Sequence, residues 1–246
     1  MPPASQPDSS IRDRLTLLDD YVQSRDYPRN VCHLLGSLGR RLGFPEAPDE
    51  IGVVCPNVLE ASEYLTHQYG AGPFFLGSGS PKDFTEAGVV KPYTTRIGFG
   101  YLRGVLIELA EPGLGSNLFG RALDPRGRIT LHHLGFFARG ASLCRKDIRG
   151  RRAHFDDRML GAGYRPGVTT RLSALGLVGN VTIFETGPET HGIGTEFLDI
   201  RLFGRRGIPF GLPQWLLELG ARFEIRSGHR LVHLPADHEL PPAPKS

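Results

Sequence analysis

The sequence predicts an α+β protein made of two successive βαβββ modules between helical N-terminal and C-terminal extensions, and three observations predict it. A short pattern occurs twice in the same order. Glu50-Ile51-Gly52-Val53-Val54 leads into a helical stretch ending Tyr69-Gly70-Ala71-Gly72, and His133-Leu134-Gly135-Phe136-Phe137 leads into another ending Leu160-Gly161-Ala162-Gly163. Self-similarity of this kind marks a repeated supersecondary unit. Each copy is followed by three short β-prone runs, and the last run carries a Glu among apolar residues: Val105-Leu106-Ile107-Glu108-Leu109 and Thr195-Glu196-Phe197-Leu198. The spacing also matches, with 58 residues from Glu50 to Glu108 and 63 from His133 to Glu196.

Residues 1–49 are the N-terminal extension. The first ten have the composition of a disordered segment, and Ile11 to Ser24 reads as one helix with Ile11, Leu15, Leu18 and Val22 on one face. In the first module, residues 50–111, Asn57 can cap a helix, Glu60 sits three residues on as in a capping box, and Val58, Ala61, Leu65 and Tyr69 recur at helical spacing. Gly70 supplies the left-handed C-terminal residue. Strands are expected at Phe74 to Leu76, Thr94 to Tyr101 and Val105 to Ala110, with Leu102-Arg103-Gly104 as a hairpin turn in which Gly104 takes a positive φ. Residues 112–128, rich in Gly and Pro, read as the linker.

In the second module, residues 129–203, Phe155, Met159 and Ala162 form the helical stripe, Gly163 ends it, and Pro166 blocks continuation. Ser142 to Arg152 adds the basic residues Arg145, Lys146, Arg149, Arg151 and Arg152, a solvated loop or helix start in the plain reading and an anion-binding lid in the other. Strands follow at Val168 to Leu175, Asn180 to Glu185 and Thr195 to Phe203. The C-terminal extension, residues 204–246, holds a helix at Pro213 to Leu219, β-like runs at Arg222 to Arg226 and Leu231 to Leu234, and a Pro-rich tail. Flanks like these cap a core or pair it with a second copy, so a homodimer is open.

Composition bounds the function. The 246 residues are ample for a core, which excludes a disulfide-stapled miniature. The excess of 29 Lys+Arg over 26 Asp+Glu is too small to be the basic stripe that nucleic acid requires. Cys32, Cys55 and Cys144 have no CxxC spacing, which argues against a thiolate zinc site and fits a reducing compartment. No signal-like N-terminus and no run of about 18–20 apolar residues is seen, so a cytoplasmic chain without membrane partners is expected. The 25 Arg against 4 Lys are read as base composition before oxyanion recognition.

Repeat equivalence selects four side chains: Glu50 with His133, and Glu108 with Glu196. A carboxylate inside a strand such as VLIELA is costly to bury unless it is paired or metal-bound. If the copies pack about a pseudo-twofold axis, the four meet in one place, and oxygen plus nitrogen donors suit one divalent Zn, Mn, Fe(II), Co or Mg. The plain readings are a solvated Glu50, a Glu108 paired with Arg96 or Arg103, and a core His133. Strand period 2 allows only one of His132 and His133 on the face of Glu196, and His133 is the one aligned with Glu50.

The strings EIGVVCPNVLEASEYL, YGAGPFF, VLIELAEP, LHHLGFF and GTEFLDI, spanning Glu50 to about Phe203, resemble the vicinal oxygen chelate superfamily of glyoxalase and bleomycin-resistance-like proteins. The likeness is greatest to its methylmalonyl-CoA-epimerase-like branch. The resemblance implies a curved mixed sheet around a central cleft and a divalent metal held by Glu50, Glu108, His133 and Glu196. Glu50 departs from the pattern, which more often has His or Gln there, and so reads as a catalytic base, an altered ligand or the mark of a metal-free site.

Other motifs carry no chemistry. Gly77-Ser78-Gly79-Ser80 lacks a P-loop Lys-Ser/Thr, Gly98-Phe99-Gly100 lacks the third dinucleotide glycine, and no GxSxG is found. His67, His154, His191, His229, His233 and His238 have no ligand spacing. The leading expectation is a metal-dependent isomerase, epimerase or lyase that forms an enolate of a small carbonyl or carboxylate substrate, with Glu50 and Glu196 as candidate bases. The alternative is a metal-free binding or sequestration module lined by Phe74, Phe99, Tyr101, Phe137 and Trp215. An extradiol-type dioxygenase fits less well, because only one His stands among the four positions.

Overall fold

The computed structural model describes residues 22, 26–81, 83–115, 117–137, 148–174, 177–187, 190, 192–202, 208–209, 212–228 and 232–233. The expected helix over 11–24, Val22 apart, and the basic loop over 142–147 lie outside them. In chain order the elements are α1 (Tyr27–Cys32), a 3-10 turn (His33–Leu35), α2 (Gly36–Leu42), β1 (Glu50–Val54), α3 (Val58–Tyr69), β2 (Phe75–Gly79), β3 (Thr85–Glu86), β4 (Val89–Val90), β5 (Thr95–Leu102) and β6 (Val105–Pro112). There follow α4 (Asn117–Arg121), β7 (Thr130–Phe137), α5 (Ile148–Gly161), β8 (Pro166–Ala174), β9 (Leu177–Phe184), β10 (Gly194–Leu202), β11 (Ile208–Pro209), α6 (Gln214–Ser227) and β12 (Val232–His233).

The strands form one mixed sheet in the order β12-β2-β5-β6-β1-β7-β10-β9-β8-β3-β4, with β11 on β10. Its centre is the antiparallel pair β1·β7. From there each half repeats the other: β1 pairs in parallel with β6, then β5 and β2 follow antiparallel, while β7 pairs in parallel with β10, then β9 and β8 follow antiparallel. This is the paired βαβββ arrangement, built about a pseudo-twofold axis between β1 and β7. The chain leaving β2 near one edge supplies the hairpin β3–β4, and β3 pairs with β8 at the opposite end of the order. A segment of a few residues spans that gap only because the sheet curls into a half-barrel around a cleft.

Local chemistry sets the elements. The Asn57 side chain accepts hydrogen bonds from the backbone N–H of Leu59 and Glu60 at 3.0 and 3.2 Å and so caps α3, and Gly70 ends it at φ 70°. The β5–β6 turn takes positive φ at both Arg103 (48°) and Gly104 (86°), which matches the right-handed strand twist. Alternation then separates two cores. On β6, Val105, Ile107 and Leu109 join the outer cluster with Val58, Ala61 and Leu65 of α3 and Phe155 and Met159 of α5. Leu106 and Ala110 face the cleft with Phe84, Tyr93, Leu118 and Phe119, and Glu108 shares their parity. Both faces are covered, so β1 and β7 are buried along their whole length.

Two extensions close over this sheet. Tyr27 donates its hydroxyl to the Leu102 carbonyl, and Arg103 donates to the Val22 carbonyl at 3.0 Å, tying the N-terminal segment to the β5–β6 turn. Residues Arg222 to Arg226, read from sequence as β-like, belong instead to α6. There Leu217, Ala221 and Glu224 form the buried face, and the Glu224 carboxylate accepts the Leu76 N–H at 3.0 Å. Among the described residues no helix is long and apolar enough to cross a membrane.

Candidate metal centre in the cleft

The strand register carries the four selected side chains to one point. Across β1·β7, Glu50 stands opposite Gly135 and Gly52 opposite His133; across the parallel pairs, Gly52 adjoins Glu108 and Gly135 adjoins Glu196. Each glycine therefore lies between two functional side chains, one from each neighbouring strand. A Cβ on Gly52 would lie 2.0 Å from Cε1 of His133, and one on Gly135 would lie 2.8 Å from Cβ of Glu50 and 3.3 Å from Oε2 of Glu196. The missing side chains leave the room that the imidazole and the carboxylates occupy. Sequence reasoning passed over both glycines, although Glu-x-Gly and His-x-Gly stand in the repeat itself. Gly52→Ala should displace the His133 ring; a metal titration of the folded variant, verified by circular dichroism, is expected to show uptake lost or strongly weakened.

One ligand atom from each of Glu50, Glu108, His133 and Glu196 lies within 4.8 Å of the others. His133 Nε2 is 3.0 Å from Glu196 Oε2, 3.3 Å from Glu108 Oε2 and 3.6 Å from Glu50 Oε1. Glu50, His133 and Glu196 are at most 3% exposed. Glu108 keeps 17% of its side chain accessible. Both oxygens of Glu50, Nε2 of His133 and Oε2 of Glu196 are buried without an aligned hydrogen-bond partner. Orphaned buried polar atoms are costly, and four converging on one point fit a cation that would satisfy them together. Donors about 2.1 Å from a common ion lie no more than about 4.2 Å apart, so small side-chain rotations close the group on one. The donor set, three carboxylates and one imidazole, suits a hard or borderline divalent ion.

Burial, then the Glu196 charge, hold the Glu50 carboxyl well above the usual carboxylate range. For His133, burial opposes the charged form, but the Glu196 charge and the close approach of the Glu108 and Glu196 carboxylates outweigh it and raise the imidazole well above its ordinary value. Burial also works to raise Glu108, and the nearby His133 imidazole overcomes it to hold that carboxyl low. The shifts of Glu50 and His133 both favour the protonated forms and so reduce the negative charge crowded at this point. The arginines expected as partners of Glu108 are otherwise engaged: Arg96 is bonded to Glu111 at 2.6 Å, and Arg103 reaches Val22.

His132 does not follow the expected strand phase. The β1·β7 register shifts between Gly52, opposite His133, and Val53, opposite Leu131, so His132 is the extra residue of a β-bulge. A bulge re-aims the side chains beside it. His132 accordingly turns towards His133, with the two Nδ1 atoms 2.9 Å apart. Its ring stacks on Phe119 of α4 at 4.8 Å, within a series that continues through Tyr93 to Phe84. Of the expected aromatic lining, Phe99, Tyr101 and Phe137 stand in the cleft-side cluster, whereas Phe74 belongs to the outer core and Trp215 is 65% exposed. A cavity of about 360 Å³ adjoins His132, lined also by Leu118, Arg121, Ala122, Ile183 and Gly194, and Arg121 pairs with Glu185 at its rim at 2.8 Å. Gly194 stands beside His133 in the β7·β10 register, which places this cavity next to the cluster.

No family model and no curated protein matches this chain. Solved structures similar to it include methylmalonyl-CoA epimerases and a 4-hydroxymandelate synthase, both of the vicinal oxygen chelate fold. Methylmalonyl-CoA epimerase from Mycobacterium tuberculosis is 15% identical, over 63% of this chain and 88% of that one, with a TM-score of 0.39. A variant methylmalonyl-CoA epimerase from Streptomyces coelicolor in complex with 2-nitronate-propionyl-CoA is 18% identical, over 61% of this chain and 92% of that one, at 0.38. A mutant 4-hydroxymandelate synthase from Streptomyces coelicolor is 14% identical, over 74% of this chain and 55% of that one, at 0.39.

Proposed function

We propose that this chain is a metal-dependent enzyme that moves a proton next to a carbonyl or carboxylate of a small oxygenated substrate, as an isomerase, epimerase or lyase. The observation that carries this reading is the convergence of four donors at repeat-equivalent positions on one point of the cleft, three of them buried and each with a ligand atom that no aligned hydrogen bond satisfies. One divalent ion held by Glu50, Glu108, His133 and Glu196 would supply Lewis acidity for a substrate oxygen. Glu50 and Glu196 flank Gly135 from either side and are the carboxylates proposed to take or return the proton. The stacked rings of Tyr93, Phe119 and His132 supply an apolar wall beside the cluster, and the adjoining cavity of about 360 Å³ has room for a small substrate.

Protein prepared without chelator is expected to hold about one divalent ion per chain, because four ligands complete a single site. The same protein should catalyse solvent-deuterium exchange into the acidic carbon of members of a panel of small 2-substituted carboxylates and ketones. Chelation should stop that exchange, and Zn, Mn, Co or Fe(II) should restore it. No metal uptake from any of these ions would turn the assignment to the metal-free binding module.

A further inference from the structure

The contact between His132 and His133 calls for an assignment of its own. Two imidazole nitrogens 2.9 Å apart need one donor and one acceptor. For Nε2 of His133 to offer its lone pair to an ion, its proton must sit on Nδ1, so the Nδ1 of His132 is the acceptor and His132 carries its own proton on Nε2. The surroundings of His132 hold its ring in the orientation this bond requires. The residue is 5% exposed, stacks on Phe119 at 26°, and meets His133 edge-on at 89°. The bulge brings it there. The usual partner for the second nitrogen of a ligating histidine is a carboxylate or a carbonyl. Here a neutral imidazole accepts instead, and so adds no fourth negative charge beside three carboxylates.

We propose that His132 is a positioning residue that fixes the tautomer and ring plane of His133, presenting Nε2 to the metal. The proposal rests on the metal-site reading above and extends it to a residue outside the ligand set.

The test is titration of Zn and Co into wild type, His132→Ala, His132→Phe and His132→Asn, each checked for its metal-free melting temperature. Phe keeps the ring and the stack on Phe119 but has no acceptor; Asn loses the stack but keeps an acceptor near the position of Nδ1. His132→Phe and His132→Ala should bind Zn about 10- to 100-fold more weakly than wild type, with His132→Asn close to wild type. Imidazole ¹⁵N spectra of the Zn-loaded wild type should place the proton of His133 on Nδ1 and that of His132 on Nε2. Wild-type affinity in His132→Phe, equal weakening in Asn and Phe, or the reverse tautomers would each overturn the proposal while leaving the metal site standing. A wild-type chain that takes up neither Zn nor Co overturns the metal reading, and this inference with it.

Discussion

His133→Ala should abolish the stabilisation that a divalent ion confers on the wild-type chain. At a free ion concentration about 1,000 times its Kd, one site stabilises the folded state by about 4 kcal/mol. For a chain of this size that is a rise in Tm of about 8–16 °C, readable by differential scanning calorimetry with and without Zn. His133→Ala removes the only nitrogen donor of the four and should show almost none of this rise. The variant should also be less stable than wild type without metal, by about 3–5 kcal/mol, because the imidazole that the surrounding carboxylates hold towards its charged form is lost and buried negative charge is left uncompensated. The pH dependence has a definite sign. His133 is raised in the folded state, so its contribution is full below the unfolded value of about 6.5 and is lost as pH rises through the folded value. Metal-free wild type should therefore weaken on the alkaline side, and His133→Ala should lack that limb. An equal Tm rise in the variant and wild type would show that the ion binds elsewhere.

What the sequence discloses of this fold is what local chemistry determines. Asn57, Gly70 and Gly104 mark a helix start, a helix end and a hairpin, because each supplies a bond or a dihedral that its neighbours cannot. The run Arg222-Phe223-Glu224-Ile225-Arg226 alternates and so reads as a strand, yet in α6 it is Phe223 and Ile225 that are exposed and Glu224 that is buried. The buried Glu224 carboxylate accepts from the distant N–H of Leu76, a partner that no local pattern contains. Hairpin β3–β4 has the same cause: strands of two residues carry no period, and its place is set by β8 across the cleft. The equivalence of Glu50 with His133 and of Glu108 with Glu196 is legible because a repeat preserves register. The bulge is not announced by His132 and His133 themselves. Its trace is Leu131 and Leu134, three apart in one strand and both in the outer core, a spacing that period 2 forbids.

Glu50→Gln should move two measurements in opposite directions. Without metal, wild-type Glu50 is wholly enclosed, and burial together with the Glu196 charge holds its carboxyl well above the usual range. A carboxyl raised by folding contributes fully below the unfolded value of about 4.3, where both states are protonated, and that contribution is lost as pH rises through the folded value. Gln cannot ionise, so the metal-free variant should escape this loss and be more stable than wild type at neutral to alkaline pH, by about 1–3 kcal/mol. With metal the order reverses. Gln keeps one oxygen that can coordinate but brings no charge, so Zn affinity should fall by at least about tenfold, and the Tm rise on loading should shrink accordingly. This crossing is the signature of a ligand, since a residue that only moves a proton has no hold on the ion. In that other role Glu50→Gln would keep wild-type affinity and lose turnover, with solvent-deuterium exchange at the acidic carbon slowed in parallel. Ligation is the expected result, because Glu50 occupies the repeat position of His133 and lies opposite Gly135 as His133 lies opposite Gly52. Unchanged stability, metal affinity and exchange would leave Glu50 with neither role and would break the pseudo-twofold argument at its first residue.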